Sequence, residues 1–210
     1  TAVASDNKEN STSVDDILAR LTLDQKAAQM VQGAIYNVSD ESMKKNCYGS
    51  ILSTFGENSF NATEWKNMIL KYQKYAVDSE AGVPYIYGND AVHGVNTCEG
   101  AVIFPHNIGI GAANNKELTY QMGLAVADEA KLTGMLWSFS PCLTTAMDPR
   151  WGRTYESYSS ETGIVTELGT SFARGLMDGG VLPCAKHFFA DGNVLYGTGE
   201  TLDGEKRLID

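Results

Sequence analysis

The sequence predicts an α/β fold in which parallel strands alternate with helices, and three observations predict it. The chain of 210 residues is 43% hydrophobic and 20% charged, which allows a sizeable core and excludes a wholly disordered chain. Short apolar runs alternate with stretches of helical periodicity, which favours a parallel sheet with right-handed crossovers. Polar residues follow several of the apolar runs, as in folds with a site at the carboxyl ends of their strands.

Five stretches of the chain have the apolar spacing of helices. Ser13 precedes the first stretch, Thr22 forms a capping box with Gln25 before the second, and Asn61 precedes the third. A glycine pair at 179–180 indicates where the last helix ends. The helical spacing is predicted to run through residues 14–21, 27–31, 65–76, 118–129 and 164–176.

Short apolar runs between these helices are predicted to be strands. They lie at residues 50–53, 83–87, 136–139 and 184–189. An open sheet that binds a nucleotide would need a glycine at Asn114, after Gly109 and Gly111, so that architecture lacks its fingerprint. Polar residues beyond several strand ends favour the alternative, a closed TIM-like (β/α) barrel.

The spacing of the strands limits how much of a barrel the chain can hold. Their centres lie about 45 residues apart, so eight βα units would need more than about 300 residues. Residues 14–210 are therefore expected to be the N-terminal part of a barrel domain, with only about the first five βα units. Residues 1–13 are polar and aperiodic, which predicts a disordered leader or linker. A leader that remains after removal of a targeting segment favours a secreted or periplasmic location.

Charge and motif content exclude several classes of function. The net charge of −10, from 16 basic and 26 acidic side chains, disfavours nucleic acid and anionic membranes as partners and fits neutral ligands. No apolar run of 18 residues predicts a membrane span. His93, His106 and His187 are too scattered to indicate a metal site, and the four cysteines form no CxxC pair. Each cysteine is either a buried free thiol or half of a disulfide, and no serine-hydrolase or zinc-hydrolase motif is present.

The segment 88–94, GNDAVHG, places Asp90 just after a predicted strand. Asp90 could accept hydrogen bonds from two hydroxyls of one sugar, because charge-assisted bonds to a carboxylate are stronger than neutral ones. It could equally cap a turn.

The loop 148–157 contains two arginines and a tryptophan, and it admits two interpretations. An arginine offers a planar fork of donors to the oxygen atoms of a ligand. Alternatively, Arg150 pairs with Asp148 and Trp151 packs inward, which the spacing alone favours.

Lys186 and His187 lie side by side at the end of the last predicted strand. Alternation in a regular strand would turn one side chain inward and the other outward, so both face a ligand only at a bulge, a twist or a non-planar peptide. A lysine at a buried strand end is costly unless it is paired, which favours a functional role. The carboxylates Glu200, Asp203 and Glu205 could suggest acid/base chemistry, but a solvated loop is the better interpretation of that segment.

Four motifs stand in a distinctive order along the chain. They are GNDAVHG (88–94), FPHNIGIGA (104–112), DPRWGRTYESYS (148–159) and CAKHFFADG (184–192). In this order and rough spacing they resemble the N-terminal catalytic domain of glycoside hydrolase family 3, over about residues 14 to 210. The resemblance implies a retaining exo-glycosidase, such as a β-glucosidase or exo-glucanase, built from a (β/α) barrel and a following α/β sandwich domain.

The resemblance also implies which side chains bind the terminal sugar. Asp90 would hold its outer hydroxyls, together with Arg153, the second arginine of the PRWGR motif. Lys186 and His187 would be joined by a non-proline cis peptide that lets both reach the sugar, and Lys186 would keep an anionic nucleophile ionised. Glu200 is a weaker match to a carboxylate near the site of exo-glucanases. The implied ligands are β-linked glucosides or gluco-oligosaccharides, with no cofactor or metal.

Some expected parts of that site have no match in these residues. The family nucleophile is an aspartate in a later SDW-like motif, and the acid/base comes from the second domain. Asp203 and Asp210 lack the right context, so no catalytic residue is assigned to this chain. Residues 189–192 lack the histidine of the N-acetylhexosaminidase branch, which argues against that activity. The alternatives are a β-xylosidase, a catalytically silent carbohydrate-binding barrel, and an unrelated barrel enzyme of phosphorylated metabolites, which no glycine-rich phosphate loop supports.

Overall fold

A computed structural model describes residues 13–53, 60–188, 190–194 and 197. Its main parallel sheet consists, in spatial order, of β1 (Gln32–Ala34), β2 (Ser50–Leu52), β4 (Ile86–Asn89) and β6 (Trp137–Ser138). A separate parallel pair joins β3 (Phe60–Asn61) to β5 (Cys98–Glu99). Each crossover therefore adds the next strand of the main sheet at the same edge, which is the arrangement of a (β/α) barrel.

An extended segment, residues 181–186, lies as a fifth strand beside β6. Ser138 donates its N–H to the carbonyl oxygen of Leu182 at 2.9 Å, and the pairing is parallel. The strand predicted over residues 184–189 is only partly observed. The extended segment ends at Lys186, and residues 187–188 form a bend and a turn. The pairing is irregular because Pro183 in the segment and Pro141 opposite it supply no N–H to a ladder. The parallel strands in sequential order form part of a TIM-like barrel, as predicted.

Helices alternate with these strands. They are α1 (Val14–Arg20), α2 (Leu23–Gln29), α3 (Asp40–Asn46), α4 (Ala62–Asp78), α5 (Asn107–Ala113), α6 (Lys116–Thr133) and α7 (Thr162–Asp178). The side chains of Ser13, Thr22 and Asn61 each form a capping box, which confirms the predicted helix starts. Among the described residues, no helix is long and apolar enough to cross a lipid bilayer. Residues 1–12 of the predicted leader lie outside the described residues, so the leader and the location that it favours stay predictions.

Some elements differ from those predicted. Helix α3 begins at a capping box on Ser39 but buries only Met43, so it lacks an apolar stripe. Helix α5 was not predicted, because it contains glycines, which lower helix propensity. Strand β1 is too short to show an alternation of apolar and polar side chains. It is extended because it pairs with β2. Strand β4 begins at Ile86 rather than at 83, after Pro84, which has no N–H to donate.

The core lies between the main sheet and helices α4, α6 and α7. Ile51 on β2, Trp65 on α4, Val126 on α6 and Phe172 on α7 are all 0% exposed. Tyr87 on β4 packs edge-on against Trp65, with ring centroids 5.8 Å apart. Burial of side chains of this size stabilises the fold by about 1.5–3 kcal/mol each. The core therefore fixes the strands whose carboxyl ends carry the polar motifs.

Helices α6 and α7 approach each other through glycines. A Cβ atom on Gly123 would lie 2.5 Å from the carbonyl oxygen of Phe172, and one on Gly175 would lie 2.3 Å from that of Tyr120. Both contacts are with backbone, which cannot rotate away as a flexible side chain can. The missing side chains at these two positions set the distance between the helices.

Gly123→Ala is expected to lower the free energy of unfolding by about 1–3 kcal/mol, because the added methyl group overpacks the contact between α6 and α7. Gly163→Ala is the matched control, since Gly163 lies in α7, the other helix of this pair, and its Cβ position has nothing within 4 Å. There, alanine is expected to be neutral or stabilising by up to about 1 kcal/mol. Urea unfolding of both variants beside the parent measures the difference, and equal stabilities would contradict the close approach.

Candidate active site

Polar side chains follow the carboxyl ends of three neighbouring strands. Asp90 comes directly after β4, residues 139–159 form the loop after β6, and Lys186 ends the segment 181–186. Because these strands are parallel and adjacent, their carboxyl ends meet on one side of the sheet. Barrel enzymes have their active sites on this side.

Asp90 and Lys186 form an ion pair between two of these strand ends. Lys186 Nζ lies 2.6 Å from Asp90 Oδ1, and the lysine side chain is 13% exposed whereas the aspartate side chain is 66% exposed. The ammonium group is thus covered by protein, and the carboxylate faces outward. The pair presents a negative acceptor and a positive donor side by side.

Asn89, rather than Asp90, holds the turn after β4. The buried Asn89 side chain accepts the Asp90 N–H through Oδ1 at 2.7 Å and donates through Nδ2 to Thr97 Oγ1 at 2.6 Å. The capping role considered for Asp90 therefore belongs to its neighbour. The Asp90 carboxylate is left to interact with Lys186.

Buried hydroxyl groups connect this turn to the end of β6. Ser138 Oγ and Ser140 Oγ lie 2.6 Å apart, and each is 3.3 Å from the carbonyl oxygen of Ala91. Both serines are buried, and a buried polar group without a partner is costly. These bonds therefore fix the backbone beside Asp90 relative to β6.

The peptide bond between Lys186 and His187 is cis, as the family resemblance implies. Lys186 reaches Asp90, whereas His187 turns toward Asp191, with Nδ1 and Oδ2 2.7 Å apart. The two atoms are in ion-pair range, although their angles are not those of a hydrogen bond. The structure therefore places both side chains at one strand end, each beside a different carboxylate.

The loop 148–157 contains both arrangements that the sequence suggests. Arg150 Nε donates to Asp148 Oδ1 at 2.9 Å, and the Arg150 hydrogen bonds lower the pKa of Asp148 to about 2. Trp151 packs inward and is 3% exposed. Arg153 turns instead to Glu156. One arginine of the motif is thus structural, and the other stays a candidate for ligand binding.

Arg153 and Glu156 form a two-pronged ion pair. Arg153 Nε lies 2.6 Å from Glu156 Oε1, and Nη2 lies 2.7 Å from Oε2. Cys142 donates its thiol hydrogen to Oε2 at 3.3 Å. Burial raises the pKa of Glu156, but the hydrogen bonds from Arg153 and Cys142, with the charges of Arg153 and Lys186, bring it below its ordinary value. The carboxylate is therefore ionised at neutral pH.

The predicted binding residues fall into three groups. Asp90 and Lys186 contact each other, and His187 is joined to Lys186 by the cis peptide. Arg153 belongs to a separate ion pair in the neighbouring loop. Glu200, like the other carboxylates of its segment, lies outside the described residues. Ligand binding by all five stays a prediction.

Two carboxylates of this region have partners that sequence analysis misses. Glu156 pairs with Arg153 three residues before it, and Asp191 lies beside His187 four residues before it. A basic and an acidic side chain at these spacings are a usable signal when the segment is a helix or a tight turn. Neither segment is predicted to be a helix or a tight turn, so the spacing alone does not identify these two pairs.

All four cysteines are free thiols, and they differ in exposure. Cys47 and Cys142 are buried, whereas Cys98 and Cys184 are partly exposed. Burial raises the pKa of Cys142 to about 12 and also raises that of Cys98. Because the thiolate is the reactive form, reactivity should follow both exposure and pKa.

Alkylation of the native protein at pH 8 is expected to modify Cys184 first. Cys47 and Cys142 should react more slowly by at least about tenfold, since one is buried and the other is buried with a raised pKa. Mass spectrometry of the alkylated peptides over time measures the order. Early modification of Cys142 would contradict its described environment.

The fold and the strand-end side chains define a class of protein, the (β/α) barrel domains that carry an active site at the carboxyl ends of their strands. Residues 22–207 match the sequence model of the Glycosyl hydrolase family 3 N terminal domain. The chain therefore belongs to glycoside hydrolase family 3, as its four motifs predicted.

Two relatives of the chain are named for different substrates. The chain is 27% identical over 188 residues to the lysosomal beta glucosidase of Dictyostelium discoideum, covering 80% of this chain and 23% of that protein. It is 27% identical over 208 residues to a protein of Formosa agariphila with a provisional beta-xylosidase name, covering 88% of this chain and 27% of that protein. The chain thus spans about a quarter of each relative's length.

Solved structures share the fold. The exo-1,3/1,4-beta-glucanase ExoP from a Pseudoalteromonas species has a TM-score of 0.83 at 35% identity, over 87% of this chain and 25% of that one. A glycoside hydrolase family 3 beta-N-acetylglucosaminidase from a Paenibacillus species has a TM-score of 0.74 at 29% identity, over 82% of this chain and 34% of that one. The described residues are therefore part of a family 3 barrel domain.

Proposed function

We propose that the protein carrying this chain is a retaining, exo-acting glycoside hydrolase that removes terminal β-D-glucose from oligosaccharides or β-glucans. This chain would supply the sugar-binding half of its active site. The observation that carries the proposal is the pair of Asp90 and Lys186, with Oδ1 and Nζ 2.6 Å apart at the ends of two strands on either side of β6. The likeness to a barrel of an exo-1,3/1,4-beta-glucanase supports the substrate class.

The chemistry of the paired groups suits a sugar. A sugar hydroxyl both donates and accepts a hydrogen bond. Asp90 would accept from hydroxyls, whereas Lys186 and Arg153 would donate to hydroxyl oxygens. Hydrogen bonds to charged groups contribute about 1.5–3 kcal/mol each. A cluster of mixed charge therefore favours a neutral ligand that is dense in hydroxyl groups.

Retention requires two carboxyl groups about 5–5.5 Å apart, one as nucleophile and one as acid and then base. We assign neither role to Asp90 or Glu156, because neither lies in a motif that resembles the family's nucleophile or acid/base segment. Following the family resemblance, the nucleophile would come from an SDW-like motif and the acid/base from the sandwich domain. The side chains in this chain would bind and orient the sugar, and such contacts accelerate the reaction only if they strengthen in the transition state.

A β-xylosidase is the second candidate, and the Formosa agariphila relative is the observation that favours it. Xylose lacks the hydroxymethyl group of glucose, so the two substrates differ at one position of the ring. The remaining alternative is a catalytically silent barrel, which would bind carbohydrate without hydrolysing it. An N-acetylglucosaminidase is disfavoured, because residues 189–192 lack the histidine that this branch carries.

The test uses the protein that carries this chain, with 4-nitrophenyl β-D-glucopyranoside and β-D-xylopyranoside as parallel substrates. Higher kcat/KM on the glucoside supports the first candidate, and the reverse supports the second. Proton NMR of the released anomer and mass spectrometry after incubation with a 2-deoxy-2-fluoro-glucoside test retention through a covalent intermediate. Binding of glucose without turnover of either substrate would leave only the silent barrel.

A further inference from the structure

We propose that Glu156 is a positioning residue that holds the Arg153 guanidinium in place for the sugar. The inference rests on the proposed function and adds a residue to the site, one that would act on the ligand through Arg153. It starts from the two-pronged contact, in which two N–H donors of one guanidinium edge meet both oxygens of one carboxylate.

The two-pronged contact fixes the plane of the guanidinium group. A single hydrogen bond would let the group rotate about one axis, whereas two parallel bonds set both distance and orientation. Glu156 engages two of the five N–H donors of an arginine. The side chain of Glu156 is 9% exposed and that of Arg153 is 22% exposed. The Glu156 side chain is thus the more deeply buried of the two.

Contacts from remote parts of the chain hold Glu156 itself. Its backbone carbonyl oxygen accepts a hydrogen bond from Asn107 Nδ2 at 2.8 Å, at the start of α5. Its carboxylate accepts the thiol hydrogen of Cys142, which is 0% exposed. The backbone of Cys142 pairs with that of Lys186 in a parallel β-bridge. Arg153 is therefore anchored, through Glu156, to α5 and to the strand end that carries Lys186.

The electrostatics agree with this geometry. A buried carboxylate without partners would take up a proton, and its pKa would rise. The pKa of Glu156 is instead lowered against the effect of burial, by hydrogen bonds from Arg153 and Cys142 and by the charges of Arg153 and Lys186. The raised pKa of Cys142 keeps that thiol protonated as the donor. Glu156 is thus a negative charge that is bonded to Arg153 and that also feels the charge of Lys186.

The experiment replaces Glu156 in the protein that carries this chain. Glu156→Gln keeps the size of the side chain but removes its charge and one of its two acceptors. We expect kcat/KM on the aryl β-glucoside to fall about 100-fold, the cost of a misplaced binding group. Glu161→Gln is the matched control, since Glu161 is exposed and has no ion pair among the described residues, and it should act like the parent.

The inhibition constant of D-glucose separates positioning from loss of folded protein. A partly unfolded preparation lowers the apparent kcat but leaves this constant unchanged, because only folded molecules turn over substrate. We expect the constant to rise at least about tenfold in Glu156→Gln, as for a lost charged hydrogen bond. An unchanged constant in an otherwise active variant would overturn the proposal.

A double-mutant cycle tests whether Glu156 acts through Arg153. In an Arg153→Lys background, Glu156→Gln should cost much less than in the parent, because the two-pronged contact is already lost. Equal costs in both backgrounds would overturn the inference. If Glu156→Gln does not fold, Glu156→Asp takes its place, and parent-like kinetics of that variant count against the inference. A parent without activity on any glycoside refutes the proposed function instead.

Discussion

Asp90→Ala is expected to lower kcat/KM on aryl β-glucosides by about 1000-fold in the protein that carries this chain. Two hydroxyl contacts to a carboxylate contribute about 3–6 kcal/mol together, and a 1000-fold loss corresponds to about 4 kcal/mol. The substitution also removes the partner of Lys186, whose side chain is 13% exposed. Its ammonium group would then lack its main counter-charge among the described residues, at a further cost in binding geometry.

Steady-state kinetics of Asp90→Ala and of a surface control measure the effect. Asp128→Ala is the control, since Asp128 pairs with Lys131 on an exposed helix face, and exposed pairs contribute about 0–1 kcal/mol. The control should stay within about twofold of the parent. If Asp90→Ala also stays within a few-fold, Asp90 does not bind the sugar.

Phe172→Ala is expected to lower the free energy of unfolding by about 3–5 kcal/mol. Phe172 is 0% exposed, lies in α7 and belongs to the main core cluster. Truncation removes a buried ring and leaves a cavity between helices that already approach through Gly123 and Gly175. Because those helices are in backbone contact there, they cannot close around the cavity, and the loss should lie at the upper end of the range.

Met177→Ala is the matched control for the core truncation. Met177 lies in the same helix but is 53% exposed, so its loss should cost less than about 1 kcal/mol. Urea unfolding of the two variants beside the parent gives the difference. A loss below about 1 kcal/mol for Phe172→Ala would mean that α7 does not pack as described.

The helix starts were predictable from sequence because a cap is a local device. Ser13, Thr22 and Asn61 bond to backbone within their own first turn, so each signal is complete in four residues. Strand β1 and the segment 181–186 were not predictable in the same way. Their extended shape comes from pairing with neighbours, and Pro183 breaks the ladder that a sequence pattern assumes.

The same distinction applies to the candidate site. Asp90 was predictable as a polar residue just after a strand, and Lys186 as a charged residue near the end of one, because position relative to a strand end can be read from the sequence. The contacts of Glu156 were not predictable, because its partners Cys142 and Asn107 come from other segments. A carboxylate in a polar loop looks solvated until its tertiary neighbours are known.

The ion pair between Asp90 and Lys186 joins residues 96 positions apart, and this separation links the site to the folding reaction. Contacts over such distances close a large loop and form slowly compared with local helices. The two side chains can meet only after two crossovers have placed β4 and the segment 181–186 on either side of β6. Any ligand that requires both groups therefore binds the folded state and not the unfolded chain. Such a ligand shifts the folding equilibrium toward the native state in proportion to the logarithm of its concentration.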